Sequence, residues 1–463
     1  MENNNKQGEV VVAEKFKLRD LWSKEDWLSI WGAFIIIAIA AVGAIGGWFD
    51  FSAAKFSIWG FGGEIAAHPG KVKSFAAIFT KSLWLKLLLT YVALAAVFTV
   101  GNKLEGKKAG KFLLAFTGIF ALVVVVRLLS AQFTFNRYLE YAFWALLLGL
   151  LVSNIVKTPK WLLPALRTEF YIKTGLVILG AQVLFGNIQK FGLYGLGIAW
   201  GVTPVVIIFM WWFGTRFLKM KNNPLIITIA AATSVCGTSA AIAAAAAAKA
   251  KRSDLAFAVG TSLIFTVLMM VGMPFFIKLV HIDPMVGGAW IGGTVDSTGA
   301  VVLAGQALGD LGGQVAALVK MIQNILIGFV ALGIAIFFTA KVDRGNNASG
   351  KVGVGEIWQR FPKFILGFVA ASLVFSFVMQ PVFGDETVKL VISRLKEFQN
   401  WAFALAFTSI GLETNFKELC SQVQGGKPFQ LYIAGQIFNL VLTFAICWLL
   451  LSGVIFQIPA LNV

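Results

Sequence analysis

The sequence predicts an all-α, polytopic membrane protein, and three observations carry that prediction. Of its 463 residues 58% are apolar and only 13% are Asp, Glu, Lys or Arg, against about 45 to 50% and about 25% in soluble domains. The mean hydropathy is +0.81, more apolar surface than a water-soluble chain of this length can bury. The apolar residues also fall into successive stretches of the roughly 20 residues that a helix needs to cross a bilayer core. Together these exclude a water-soluble enzyme, a disordered tail and a secreted disulfide scaffold.

The first stretch, Trp27 to Phe49, has no small-residue cleavage site after it and reads as a span rather than a removed signal peptide. Residues 1–26 precede it as a cytoplasmic tail. Two more spans, Leu83 to Val100 and Phe112 to Leu129, complete an N-terminal section over 27–137. Its long loop, Asp50 to Lys81, contains the string GFGGE and reads as a surface cover. Residues 138–463 form the remaining section. Its spans run from Tyr138 to Val156, Phe170 to Phe185, Leu193 to Phe213, Leu255 to Ile277, Val315 to Phe338, Phe364 to Met379, Phe398 to Leu412 and Phe429 to Leu451, which makes eleven in all. The Gly- and Asn-containing linker Val342 to Gly355 reads as flexible and cytoplasmic.

Two further apolar stretches, Leu225 to Ala248 and Gly287 to Leu308, are rich in Ala, Gly, Ser and Thr. Alanine adds little insertion free energy and small side chains let backbones approach, so both are expected to be broken or re-entrant elements shielded by protein. With both re-entrant, 25 of the 39 Lys and Arg fall on the side of the N-terminus. The positive-inside rule then places that terminus in the cytoplasm of a multi-pass protein of the cytoplasmic (inner) membrane. The net charge of +17 is thereby a matter of sidedness and calls for no nucleic acid.

An internal repeat is visible between Lys173 to Ile188 and Ala406 to Leu419, aligned on Gly180 and Gly411. The two copies run in opposite directions across the membrane, as in transporters built on inverted repeats.

The chemistry concentrates in the two special stretches. In TSVCGTSAAIAA, Thr233, Ser234, Thr238 and Ser239 surround Cys236 and Gly237, a composition suited to a helix break. A break frees backbone N–H groups that must find partners in lipid, and the new helix N-terminus offers them to an anion. The second stretch holds Asp296 among Thr294, Ser297 and Thr298. A lone intramembrane carboxylate is costly and points to function, here as proton carrier, sodium ligand or counter-charge to Lys320. Lys320 lies about two turns into its span with Gln323 on the same face, placed to bind an anion or pair with Asp296. Lys173, near a span end, is expected to snorkel. Cys236, Cys420 and Cys447 show no metal or disulfide spacing, and His68 and His281 fall in loops, so no metal site and no cofactor are expected.

These strings also carry a resemblance. ALLLGLLVSNIV, GLVILGAQVLFGNI, TSVCGTSAAIAA, WIGGTVDSTGAVVLAGQALGD, ALVKMIQN and SIGLETNFKEL followed by GGKPF resemble the bacterial sulfate-exporter family, multi-spanning proteins of largely unestablished substrate, from about Tyr138 to the C-terminus. The chain departs from that family in carrying Asp296 where His is usual and Gln323 where Arg is common, which shifts the expectation from a divalent anion towards a monoanion or cation coupling. The resemblance implies kinship with cation/proton-antiporter and bile-acid-transporter-like folds, in which broken helices meet at the midplane, and a homodimer.

The expected function is therefore a secondary transporter moving a small sulfate-like or organosulfonate anion by alternating access. Ser234, Cys236, Gly237, Thr238, Ser239, Thr294, Ser297, Thr298, Lys320 and Gln323 form the substrate site, and Asp296 couples transport to H+ or Na+. The alternative is a cation/proton antiporter with Asp296 as ion ligand. A channel or scaffold ranks below both, and an enzyme last, since no nucleophile and base pair stands out.

Overall fold

The computed structural model describes residues 18–47, 49–138, 141–182, 185–338, 362–415, 417 and 426–459. The linker at 342–355, Cys420 and most of the N-terminal tail lie outside them. The longer helices are α1 (Glu25–Gly46), α2 (Lys81–Leu104), α3 (Ala109–Ser130), α4 (Tyr141–Leu151), α5 (Thr168–Gly180), α6 (Phe185–Trp212), α7 (Asn223–Ser234), α8 (Gly237–Ala247), α9 (Arg252–Leu279), α10 (Pro284–Thr294), α11 (Thr298–Gln306), α12 (Asp310–Phe337), α13 (Phe364–Val374), α14 (Gln380–Glu413) and α15 (Lys427–Leu451).

Among the described residues, eight helical stretches are long and apolar enough to cross a bilayer, fewer than the eleven expected. Two differences account for the gap. The helix over Tyr141–Val156 is short, as is α5, and the stretches at 364–379 and 398–412, counted together in Phe364–Glu413, lie in two helices joined by a non-helical kink at Gly384 with φ 76°. The loop after α1 is more than a cover. Phe51, Ala53, Ala54 and Phe56 are buried, and the Ala54 peptide is held on both sides, its N–H by Thr90 at 2.8 Å and its carbonyl by the Trp401 indole at 2.7 Å. That satisfies backbone groups which a buried loop would otherwise leave bare.

The helices pack as two groups. Helices α1–α5, α13 and α14 form one, and α6–α12 with α15 form the other. Within the first, α4 and α14 approach backbone to backbone: a Cβ on Gly411 would lie 2.5 Å from the Leu146 carbonyl and 2.7 Å from Gly149 Cα. Helices α5 and α14 run antiparallel, with Thr168 hydrogen-bonded to Glu413 at one end and Gln182 to Gln399 at the other. Lys173 does not snorkel. It is partly buried and paired with Glu25 and Asp26 at 3.0 and 2.9 Å, beside Arg167, which binds Glu25 at 2.6 Å and Glu105 at 2.7 Å. This network ties α1, α2 and α5 together.

In the second group the two special stretches are re-entrant hairpins. Asn222, at the start of α7, hydrogen-bonds Asp254, at the start of α9, at 3.1 Å, so α7 and α8 enter and leave on one side. Gly312 of α12 lies against both the Pro284 and Gly305 carbonyls, so α10 and α11 also begin and end together. Both lean on α12. Gly237 in one tip donates to Asp296 in the other, so the hairpins reach each other within the bundle.

Between the groups the main contacts are those of α11 with α4, α5 and α14, and of α6 with α13. A Cβ at Gly299, in the first turn of α11, would lie 2.1 Å from Ile172 of α5. The second hairpin thus bears on the first group at its tip.

Replacing Arg167 by Met should lower the stability of the first group by about 3 kcal/mol, the usual cost of stripping one partner from a buried ion network. The check is thermal unfolding in detergent, where an unchanged melting temperature would show that the network contributes nothing.

Candidate functional site

Each tip is a short break. Helix α7 ends at Ser234 and α8 starts at Gly237, with Cys236 extended at φ −149°, ψ 99°. Helix α10 ends at Thr294 and α11 starts at Thr298, with Ser297 extended at φ −97°, ψ 134°. Such breaks orphan the last carbonyls of the first half-helix and the first N–H groups of the second. The tips share one of these bonds directly: the Gly237 N–H donates to the Asp296 carbonyl at 2.9 Å. A Cβ on residue 237 would sit 2.4 Å from Ser262 Oγ, so any larger residue here has to displace that hydroxyl.

The C-terminal ends of α7 and α10 are closed by side chains from three neighbouring helices. Asn439 donates to the Thr233 carbonyl at 3.1 Å. Gln323 donates to the carbonyls of Ser234 and Gly293 at 3.0 and 3.1 Å, bridging the two hairpins. Thr203 donates to the Ser234 carbonyl at 3.2 Å, and Gln436 to the Thr294 carbonyl at 3.2 Å. Lys320, buried, donates to the Val235 carbonyl and, at 2.8 Å, to Gln323 Oε1. Its amino group therefore sits against the negative ends of the helix dipoles, and its hydrogen bonds go to these carbonyl oxygens and not to Asp296.

Asp296 is held separately. It is buried, and its Oδ2 accepts from Ser262 Oγ at 2.7 Å and from the Tyr432 hydroxyl. Its Oδ1 has no hydrogen-bond partner. Buried polar atoms are rarely left so.

The N-terminal ends of α8 and α11 are different again. Neither has a side-chain cap. Thr238 and Ser239 are exposed, Ser297 is half-buried, and Ile242 one turn further along α8 is 45% exposed. Two positive dipole ends, with hydroxyls beside them, thus start where the tips meet, an arrangement that suits an anion. Thr298 is turned inward, accepting from Asn324 Nδ2 at 3.1 Å, with Cys236 Sγ 3.9 Å from its Oγ1.

The structure brings Cys236, Gly237, Asp296, Thr298, Lys320 and Gln323 into one connected cluster. The hydroxyls of Ser234 and Thr294 point back to their own helices, onto the carbonyls of Ala230 and Trp290 at 2.5 and 2.6 Å. Sequence reading missed Ser262, Asn324, Tyr432, Gln436 and Asn439. Their signal was present: Tyr432, Gln436, Asn439 and Thr443 recur at helical spacing along one face of an apolar span. Replacing Gly237 by Ala should push Ser262 off Asp296 and cost about 1 to 3 kcal/mol, as overpacking does. A lowered melting temperature, restored in part by adding Ser262→Gly, is the expected result.

The comparisons agree with this membrane architecture. A family model described as "Conserved hypothetical protein 698" matches residues 112–431. A UPF0324 membrane protein of Rhodopirellula baltica is 50% identical over 391 residues, covering 84% of this chain and 72% of its own length. One from Nitratidesulfovibrio vulgaris is 48% identical over 381 residues, covering 81% of this chain and 65% of its own length, and one from Nitrosomonas europaea is 26% identical over 93% of this chain and 96% of its own length. No solved structure matches the chain. The names of these relatives state a membrane protein and give no solute. With the family region spanning both hairpins and relatives near half-identical across most of its length, the chain belongs to the UPF0324 family of membrane proteins.

Proposed function

We infer that the protein is a secondary transporter that moves a small anion across the cytoplasmic membrane by alternating access. The observation that carries this reading is the meeting of two re-entrant tips, Gly237 N–H on the Asp296 carbonyl at 2.9 Å. Their carbonyl ends are closed by side chains and their N-terminal ends are uncapped. The solute, a sulfate-like or organosulfonate anion, is taken to lie against Thr238, Ser239, Ser297 and the adjoining N–H groups. Lys320 supplies a fixed positive charge beneath the first tip. The thin seam between the helix groups supports rigid-body movement of one against the other, and the antiparallel course of α5 and α14 supports an inverted repeat. The N-terminus is placed in the cytoplasm on the charge rule, and a homodimer rests on analogy with related transporters.

Asp296 is the proposed coupling residue, taking H+ or Na+ on the oxygen that has no partner. The same oxygen favours a second reading, a cation/proton antiporter in which Asp296 is the ion ligand. Uptake of labelled sulfate and isethionate into proteoliposomes, with and without sodium and proton gradients, separates the two. Saturable anion uptake is expected, weakened at least about tenfold in apparent affinity by Thr238→Val with Ser239→Ala, since one hydrogen bond to a charged group is worth about 1.5 to 3 kcal/mol. Asp296→Asn should abolish gradient-driven accumulation while anion exchange persists. Sodium–proton exchange that depends on Asp296, with no anion moved, would establish the antiporter instead.

A further inference from the structure

At the far end of α11 the seam holds a polar cavity of about 360 Å³, and a smaller one of about 140 Å³ shares its walls at Gln306, Asp310, Lys396 and Asn400. The charged groups of the larger cavity are of two kinds. Arg127 and Glu397 are fixed: they pair at 2.6 Å, each about one-tenth exposed, and the guanidinium lies over the rings of Tyr141 and Trp401 at 5.1 and 5.8 Å. Lys55 and Lys396 are loosely held. Lys55 is 75% exposed and reaches, at 3.5 Å, a Glu397 already paired with Arg127. Lys396 pairs at 2.7 Å with Asp310, itself 63% exposed. Three cations thus share two carboxylates, which leaves the cavity an excess of positive charge.

The loose pair also crosses the seam. Lys396 belongs to α14 of the first group and Asp310 opens α12 of the second. Beside it the Tyr141 hydroxyl of α4 donates to Gln306 Oε1 of α11 at 2.7 Å, a second link across the same gap. Water screens an exposed ion pair and makes it easily exchanged.

We propose that this cavity is an outlying anion site, in which a small oxyanion or sulfonate displaces Asp310 as the counter-ion of Lys396, with Lys55 as its second cation. Arrival of the anion thereby undoes the ion pair that joins the two helix groups at this end. The proposal rests on the transporter reading, for which it names a first stop of the solute, at a place separate from the hairpin tips. Asn400 lines the same cavity and supplies an amide donor to an anion with several oxygens.

The test uses full-length protein in detergent carrying Asn136→Cys as a reporter at the cavity wall, labelled with a neutral maleimide, with the rate of the parent chain subtracted. Millimolar sodium sulfate should slow labelling relative to sodium chloride at equal ionic strength. Asp310→Asn removes the competing carboxylate and should strengthen that protection by up to about fivefold, the equilibrium factor of an exposed ion pair. A purely structural role for Asp310 would weaken it. Lys55→Gln with Lys396→Gln should abolish it. Equal labelling in the two salts, weaker protection in Asp310→Asn, or protection that survives loss of both lysines overturns the proposal. Should Asp310→Asn not fold, the double lysine variant decides alone. Protection in a protein that moves no anion in proteoliposomes would remove the transporter and leave this site, whereas transport without protection would do the reverse.

Discussion

A helix interrupted inside a bilayer exposes backbone donors and acceptors that lipid cannot satisfy, and the second helix group is organised around that constraint. Two hairpins enter from opposite ends and stop at the same level. One of the bonds their breaks release is made between them, from Gly237 to Asp296. The rest of the carbonyl ends are met by Thr203, Gln323, Lys320, Gln436 and Asn439, drawn from three continuous helices. The polar residues that look out of place in apolar spans are therefore partners the broken backbone needs. Gln323 is the clearest case, since one amide reaches a carbonyl of each hairpin.

The asymmetry of this closure is what gives the centre a chemical direction. Acceptors are covered, with a buried ammonium behind them, whereas the N–H ends of α8 and α11 start uncapped beside exposed or half-exposed hydroxyls. The carboxylate of Asp296 is kept apart from the ammonium of Lys320, each with its own set of partners. A charged group so placed can change its state without first breaking an ion pair, which a direct pairing of the two would have required.

Much of this was legible in the sequence because small-residue composition is unusual in a span. The Ala-rich run with Cys236 and Gly237, and the Gly-rich run with Asp296, marked both breaks, and the charge distribution favoured re-entry over crossing. Less legible were features set by distant packing. The stripe of Tyr432, Gln436 and Asn439 has the periodicity of any helix face, and nothing local to it says that hairpin carbonyls lie opposite. Lys173 looked like a snorkelling lysine because Glu25 and Asp26 are far away in the chain. Hydropathy alone also did not show how short α4 and α5 are, whereas the two stretches expected on either side of Gly384 are separate helices joined by a kink there.

The contact of Gly299 with Ile172 has a mechanical corollary. Two residues, Ser297 and Thr298, separate that contact from Asp296. Sliding of the first group along the seam would press on the first turn of α11 and be transmitted through two or three peptide units to the carbonyl that Gly237 grips and to the carboxylate on the same residue. Displacement of a whole helix group and the chemical state of one side chain would in this way be geared together over less than a single turn of backbone.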